Sequence, residues 1–190
     1  MKKVIIIGAS GSLASYVVTA LKGLGDVELT LFVRNKKRLA NDSAENCTII
    51  EGDAMNFNSV KNAVTGQDVV YVNLAGNLEV MGQNIVKAMQ AAGVKKVIAI
   101  CSIGIYETPM KPVLIPYRKL ADIIEASGLE YTILRPDWFT NGSEIDYAIT
   151  HKGEPEKGTA ISRKSIAAFI SRVVENPGEF KNQNLGISKP

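Results

Sequence analysis

The residues of this sequence with the clearest chemical meaning are small side chains near its start. Gly8, Gly11 and Ala14 recur at intervals of three directly after an apolar run at residues 4–7, and a helical pattern follows them. In an α/β fold this arrangement lets a phosphate group approach the backbone N–H groups at the N-terminus of a helix. Glycines at this spacing also occur in tight turns that bind nothing. The strand-like run before them and the helix after them favour a turn that binds a dinucleotide.

The whole turn is therefore the predicted diphosphate-binding loop. It consists of Gly8, Ala9, Ser10, Gly11, Ser12 and Leu13. Every side chain in it is small except that of Leu13, which begins the helical pattern. Ala14 follows at the point where the helix must pack closely on the strand, so its single methyl group fits the same prediction.

Basic residues follow the second strand-like run, at residues 27–33. Arg34 stands directly after this run, and Lys37 and Arg38 come within the next turn. The end of this strand lies beside the adenosine ribose in dinucleotide-binding folds, and an arginine there suits a 2′-phosphate through forked hydrogen bonds. Glu28, which could hold the ribose of NAD, lies inside the run rather than at its end. We expect NADP(H) to be preferred over NAD(H); the alternative is a basic helix start that only faces solvent.

Residues at the ends of later runs complete the predicted binding site. Asp53 follows the third run, where a carboxylate can accept a hydrogen bond from the adenine amino group, although a surface turn also suits an aspartate. Small residues at the other strand ends would allow a ligand to approach the backbone. The remaining candidates are Ala54, Leu74, Ala75, Gly76, Ser102 and Pro136.

The elements that must position these residues alternate along the chain. Strand-like apolar runs occupy residues 3–7, 27–33, 47–51, 68–74, 96–101, 131–134 and 184–187. Helical patterns occupy residues 12–24, 58–65, 79–92, 116–126 and 163–175. This order predicts an α/β fold with a Rossmann-like, doubly wound, mostly parallel sheet and helices on both faces. Several runs are continuously apolar, as expected for strands covered on both faces, whereas the alternation in 27–33 predicts one less covered face.

Composition narrows the classes of protein and partner. A chain of 190 residues is most economically a single domain, and its net charge of +3 is too small to indicate nucleic acid or an anionic membrane as a partner. The apolar segment near the N-terminus is too short for a signal sequence or a membrane span, so we expect a cytoplasmic protein. Cys47 and Cys101 lie in strand-like runs and predict buried free thiols. With one histidine in the chain, we expect no metal site.

Residues 137–160 interrupt the alternation of strands and helices. The segment follows a predicted strand end, where open α/β sheets bind ligands, and it contains Trp138, Phe139, Tyr147 and His151. We interpret it as a candidate lid on the substrate side, within the single domain. The alternative is an ordinary surface connection, in which His151 is an exposed loop residue rather than an acid.

Several motifs together resemble the atypical short-chain dehydrogenases/reductases of the NmrA-like or NAD(P)H-binding subgroup. They are Gly8-Ala9-Ser10-Gly11, Val33-Arg34-Asn35, Gly52-Asp53-Ala54, the stretch from Ser127 to Pro136, and Ile161-Ser162-Arg163. The resemblance implies that the predicted loop contacts the diphosphate, Arg34 the 2′-phosphate and Asp53 the adenine. It also implies that Ala75, Gly76 and Ser102 border the ribose and the nicotinamide.

The sequence departs from this family at the residues that carry proton transfer. Typical members have Tyr-x-x-x-Lys, in which the lysine lowers the pKa of the tyrosine, but none of the tyrosines here has lysine at that distance. Ser102, Tyr117 and Lys119 are the candidate catalytic residues in its place, with Tyr106 as a further possible donor. For Tyr117 and Lys119 the alternative is a place on the exposed face of a helix.

Two functions fit this pattern. The first is a small NADPH-dependent oxidoreductase that acts on a quinone, a flavin or a reactive carbonyl compound, since such acceptors lessen the need for a dedicated tyrosine. The second is a non-catalytic NADP(H)-binding redox sensor of the NmrA type. A nucleotide-sugar epimerase is disfavoured, because the residues after Arg135 are too few for a large substrate domain. We expect a small-molecule substrate and a monomer or homodimer.

Overall fold

The structure is a computed structural model that describes residues 1–39 and 44–190, and strands alternate with helices through most of it. The strands are β1 (Lys2–Ile7), β2 (Val27–Val33), β3 (Thr48–Glu51), β4 (Val69–Val72), β5 (Lys96–Ile100), β6 (Glu130–Pro136), β7 (Phe139–Thr140), β8 (Ala148–His151), β9 (Ile161–Ser162) and β10 (Gln183–Ser188). The helices are α1 (Ala14–Lys22), α2 (Phe57–Val64), α3 (Leu78–Ala92), α4 (Ile115–Glu125) and α5 (Arg163–Glu175), with short 3₁₀ turns at Lys36–Arg38 and Pro112–Leu114.

The main sheet has the strand order β3-β2-β1-β4-β5-β6-β10-β8. Its neighbours pair in parallel except β8, which is antiparallel to β10. The chain runs outwards from β1 to β3 and then returns to β4 on the other side of β1. A crevice therefore opens where the strand order reverses, at the carboxyl ends of β1 and β4. The predicted Rossmann-like, doubly wound fold is confirmed.

Two apolar layers hold the helices on the sheet. Val4 and Ile6 of β1 point into the layer under α1 and α5, while Ile5 and Ile7 point into the layer under α2, α3 and α4. All four side chains are fully buried. Because successive side chains of a strand point to opposite faces, a strand segment covered on both faces must be apolar at every position, as β1 is from Val4 to Ile7.

The prediction that β2 has a less covered face is wrong. Thr30 and Phe32 lie on the same face of β2 as Glu28, and they are only 4% and 2% exposed. The Thr30 hydroxyl accepts a hydrogen bond of 3.1 Å from the side-chain amide nitrogen of Gln67, so this buried oxygen has a hydrogen-bond partner. The less covered strand is β3 at the edge of the sheet, where Ile49 is 40% exposed.

The two cysteines lie in different environments. Cys101 is buried directly after β5, as predicted, and burial raises the pKa of its thiol to about 12. Cys47 precedes β3 and is only partly buried, so the prediction of a core thiol is wrong there. The reason is the position of β3, an edge strand that the apolar layers cover incompletely.

Residues 137–160 do not form one unit. Next to β6 they supply β7, which pairs with β9 through Phe139–Ile161 and Thr140–Ser162. Farther on they supply β8, which closes the distant edge of the main sheet against β10. One end of the segment thus lies near the crevice and the other belongs to the sheet. That the segment acts as a lid stays a prediction.

Candidate functional site

The loop between β1 and α1 is shaped by close contact with the end of β4. Gly8 has φ +92, and a Cβ atom there would collide with the carbonyl oxygen of Asn73. A Cβ atom on Gly11 would lie 2.7 Å from the side-chain nitrogen of the same asparagine. Only glycine fits at Gly8, where both the backbone conformation and the available space exclude a side chain.

The same loop leads into a helix start that is open to an anion. The Gly11 N–H donates to the Gly8 carbonyl at 3.1 Å, which closes the turn. Among the described residues, no side chain caps the N-terminus of α1. The first N–H groups of a helix have no partner within it, and together with the helix dipole they attract negative charge. The loop therefore has the geometry of a phosphate-binding turn.

This loop forms one wall of a cleft of about 990 Å³ along the carboxyl edge of the sheet. That volume is at the upper end of the range for cofactor sites. The predicted residues that line it are Gly8, Ser10, Gly11, Ser12, Leu13, Arg34, Asp53, Ala54, Leu74, Ala75, Gly76, Ser102, Tyr117 and Pro136. Ala9 is buried behind the loop and does not line the cleft. Gly76, with φ +101, has open space where a side chain would be, so a ligand can approach its backbone.

We call the wall made by residues 8–13 and the ends of β2 and β3 the loop side of the cleft. Arg34 and Arg38 both line it, at the end of β2. Their turn is held by the Asn35 side chain, which accepts a hydrogen bond of 2.9 Å from the N–H of Lys37. Glu28 lies near the opposite end of β2, in register with Lys3, and does not line the cleft. The loop side thus carries two guanidinium groups where a ribose phosphate would be expected.

Asp53 also lies on the loop side. One of its carboxylate oxygens accepts a hydrogen bond of 2.9 Å from the N–H of Met55, which fixes the turn after β3. Asn56 then caps α2 by accepting from the N–H of Ser59 at 3.0 Å. The side chain of Asp53 is therefore held at the cleft by its own turn, and its contact with adenine stays a prediction.

We call the opposite wall the rim side; it consists of the ends of β5 and β6, the Pro112–Leu114 turn with the start of α4, and residues 137–139. Ser102 and Tyr117 line it, and the Ser102 hydroxyl donates to the carbonyl of Ile103 at 3.1 Å. Lys119 is not brought to the cleft: its ammonium pairs with the Glu79 carboxylate on α3. Two of the three candidate catalytic residues therefore share one wall.

Apolar side chains at the mouth of the rim side were not all predicted. Trp138 is 82% exposed and Val113 is 72% exposed, and both line the cleft beside Phe139. The aromatic residues stood out in the sequence, but nothing there indicated that the Pro112–Leu114 turn comes to the same place. The cleft residues that sequence reasoning missed as site residues include Met55, Asn73, Asn77, Met81, Ile103, Lys111, Val113 and Leu114. Four of them directly adjoin a predicted site residue, which is the only signal the sequence offered: Met55, Asn73, Asn77 and Ile103.

A buried ion pair supports the rim side from behind. Arg135 of β6 is 1% exposed, and its Nε lies 2.6 Å from Oε1 of Glu156. The other oxygen of Glu156 accepts from the N–H of Gly104 at 2.8 Å, and Asn184 on β10 bonds the guanidinium as well. This arrangement ties the segment after β8 to the ends of β5 and β6. A buried charge needs such partners, because losing one leaves the other uncompensated.

The other candidate groups lie elsewhere. His151 is exposed at the far edge of the sheet, where its N–H donates to Glu154 at 2.8 Å, and it does not line the cleft. Within residues 1–39 and 44–190, no cluster of histidine, cysteine or carboxylate side chains could hold a metal ion. No helix in these ranges is both long enough and apolar enough to cross a membrane.

Comparison with known proteins agrees with this geometry. A family model described as NAD(P)H-binding matches residues 8–177. A Rossmann-fold NAD(P)-binding family protein from Shigella flexneri superposes with a TM-score of 0.91 at 43% identity, over 100% of this chain and 94% of that chain. A short-chain dehydrogenase/reductase from Veillonella parvula, solved in complex with NADP, superposes with a TM-score of 0.90 at 26% identity, over 100% and 95% of the two chains.

Sequence comparison adds a further relative. An uncharacterised sugar epimerase of Bacillus subtilis (strain 168) is 26% identical over an alignment of 193 positions, gaps included, that covers 90% of this chain and 82% of that protein. Its name differs from those of the structural neighbours, while the match again covers most of this chain. The chain therefore belongs to the NAD(P)H-binding family, as an atypical short-chain dehydrogenase/reductase of the NmrA-like type.

Proposed function

We propose that this protein is a small NADPH-dependent reductase that passes a hydride to a quinone, a flavin or a reactive carbonyl compound. The observation that carries the proposal is the extension of the cleft beyond the loop side to an apolar mouth at Trp138, Val113 and Phe139. Exposed aromatic and aliphatic side chains beside a binding cleft mark a surface for an apolar ligand. A flat acceptor could therefore rest there, next to Ser102 and Tyr117.

The preference for NADPH rests on the loop side. Arg34 and Arg38 line the cleft at the end of β2, whereas Glu28 does not. Guanidinium groups bind phosphate with two parallel hydrogen bonds, and a carboxylate at the ribose would repel a 2′-phosphate. The relative from Veillonella parvula was solved with NADP, which supports the same choice.

The chain's own contribution to the reaction would be orientation and a proton. Reduced nicotinamide supplies a hydride when it is bound. The hydroxyls of Ser102 and Tyr117 can orient the acceptor and donate the proton that its oxygen or nitrogen then requires. The Cys101 thiol, also in the cleft wall, stays protonated because burial raises its pKa to about 12, so it is not a thiolate nucleophile.

The direct test is turnover with a panel of acceptors. Purified protein is mixed with NADPH and a naphthoquinone, a free flavin or an α-dicarbonyl, and the loss of NADPH absorbance is followed. Tyr117→Phe should lower kcat by about tenfold or more if the hydroxyl donates the proton. Tyr131→Phe is the matched control, since Tyr131 is outside the cleft. Tight NADPH binding without turnover of any acceptor would exclude the proposal.

A redox sensor without catalysis is the second candidate. It is favoured by the absence of Tyr-x-x-x-Lys and by the pairing of Lys119 with Glu79, which leaves the cleft without that lysine. A sensor must distinguish the oxidised from the reduced cofactor. Titration with NADP⁺ and NADPH, combined with hydrogen exchange of the rim side, should then show different affinities or different protection. Equal values for both forms would rule the sensor out.

A further inference from the structure

Arg163, the first residue of α5, joins the two walls of the cleft. Its Nε and one terminal nitrogen each lie 3.4 Å from the hydroxyl of Ser12, in the loop between β1 and α1. Its other terminal nitrogen donates to the side-chain oxygen of Asn141 at 2.9 Å and to the carbonyl of Thr140 at 3.3 Å. Its Cζ also lies 5.2 Å from the ring centre of Phe139. One guanidinium thus contacts the loop side and the strand that follows the rim side.

No carboxylate in residues 1–39 and 44–190 forms an ion pair with Arg163. The guanidinium instead contacts a hydroxyl, an amide, a carbonyl and an aromatic ring. The loop itself, residues 8–13, contains no basic side chain. A dinucleotide diphosphate brings negative charge to this loop, and charge-assisted bonds to arginine are among the strongest that proteins form.

The position of Arg163 is fixed from its own side. Ser162 caps α5 by accepting a hydrogen bond of 3.0 Å from the N–H of Ser165, and it is 1% exposed. Ser162 also belongs to β9, which pairs with β7. The guanidinium therefore projects from a capped helix start, and Thr140, which it contacts, belongs to the strand that pairs with Ser162 and follows Trp138.

We infer that Arg163 is the counter-charge for the cofactor diphosphate and that it couples occupancy of the loop to the position of residues 138–141. Binding of the diphosphate would draw the guanidinium towards Ser12 and change its bonds to Thr140 and Asn141. The rim side would thus sense the cofactor before any acceptor arrives. This inference rests on the binding of NAD(P)H, which the family establishes, and it does not depend on the proposed hydride transfer.

Nucleotide titrations test whether Arg163 is the counter-charge for the diphosphate. Arg163→Gln should weaken NADPH and NADH by the same factor, about tenfold, because both carry the diphosphate. Adenosine 2′-monophosphate, which lacks it, should bind wild type and variant equally. Arg163→Lys keeps the positive charge but lacks the forked N–H groups of the guanidinium, and it should keep most of the affinity. Lys164→Gln, at the neighbouring exposed position of α5, is the matched control and should bind like wild type.

Trp138 fluorescence tests whether occupancy of the loop changes the position of residues 138–141. The signal is specific, because the sequence has a single tryptophan. The probe is 2′-phospho-ADP-ribose, which has the diphosphate but no nicotinamide to touch the indole. Saturating probe should shift the emission of wild type and of Lys164→Gln, and should not shift that of Arg163→Gln. Arg163→Lys should bind the probe yet give a smaller shift, because a lysine cannot bond Ser12 and Asn141 together.

Three results would overturn the inference. They are unchanged NADPH affinity in Arg163→Gln, a wild-type emission that does not respond to the probe, and a full emission shift in saturated Arg163→Gln. Circular dichroism and the Arg163→Lys variant separate these results from misfolding. An absence of turnover with every acceptor would remove the proposed reductase activity but would leave these titrations unaffected.

Discussion

The two walls of the cleft are built on different principles. At residues 8–13 the loop side presents backbone and mostly small side chains, and its shape follows from contacts such as that between Gly8 and the carbonyl of Asn73. The rim side presents exposed side chains from separate parts of the chain, with Trp138 and Val113 at its mouth. A backbone surface recognises what every dinucleotide has in common, whereas a side-chain surface can change with the acceptor. The contrast explains why the cofactor is easier to assign than the substrate.

The largest expected effect comes from breaking the loop side at its tightest point. Gly8→Ala should destabilise the fold by about 3 kcal/mol and abolish cofactor binding, because the new methyl group meets the Asn73 carbonyl at a positive φ. Urea unfolding and NADPH titration measure the two effects. Gly25→Ala is the control: its φ is +76 but nothing lies within 4 Å of the new atom, so about 1 kcal/mol is expected. Equal losses in both variants would show that the close packing is unimportant.

The next effect separates charge from shape on the loop side. Arg34→Glu should weaken NADPH by about a hundredfold, since it removes charge-assisted bonds and adds repulsion, and it should leave NADH within about twofold. Isothermal titration with both cofactors measures the ratio. Lys37→Glu is a matched control, because Lys37 lies in the same turn but does not line the cleft. Parallel losses for the two cofactors would mean that Arg34 does not contact the 2′-phosphate.

A smaller effect is expected from breaking the buried ion pair between Arg135 and Glu156, which supports the rim side. Glu156→Gln should cost about 2 kcal/mol of unfolding free energy, because Arg135 is buried and loses its ion-pair partner. Glu130→Gln, at the exposed pair with Lys181, should cost far less, because solvent screens exposed ion pairs. Urea unfolding compares them. The Glu156 variant should also alter Trp138 emission with NADPH affinity little changed; a selective loss of cofactor affinity instead would contradict the separation of the two walls.

The smallest effect concerns the buried thiol of Cys101, directly after β5 on the rim side. In the folded protein burial raises the pKa of Cys101 from about 9 to about 12. The folded state then keeps a proton that the unfolded state loses, so the contribution of this thiol to stability is intact below pH 9 and falls as the pH rises towards 12. Between pH 8 and pH 10 this contribution should fall by about 1 kcal/mol. Lys96 acts in the opposite direction over the same range, because burial lowers its pKa to about 8. The effect is therefore read as the difference between wild type and Cys101→Ala in urea unfolding at the two pH values, and Cys47→Ala should differ less from wild type. A slope unchanged in Cys101→Ala would refute the assignment.

The sequence predicted most of what depends on local pattern. Strand and helix order, and the loop at Gly8 and Gly11, follow from apolar periodicity and from residue size, which act over a few positions. The burial of Thr30 on β2 could not be predicted, because its hydrogen-bond donor, Gln67, is far away in the sequence. The same holds for Lys119, whose pairing with Glu79 depends on how two helices pack.

The rim side shows the same limit in a functional setting. Trp138 and Phe139 stood out as aromatic residues, yet their meeting with Val113 requires the tertiary fold. Arg163 is a sharper case. It stands in a motif shared with the family, but its contact with Ser12 spans almost the whole sequence. Residues that act across such separations leave no periodic signal.

The place of β10 also bears on the order in which the protein can assemble. This strand follows α5 in the sequence, yet it lies between β6 and β8 and, among the described strands, is the one that pairs with β8. During synthesis the Ala148–His151 stretch therefore leaves the ribosome well before its partner exists. This edge of the sheet can form only after Gln183–Ser188 is released, so deletion of that strand should leave the sheet unfinished.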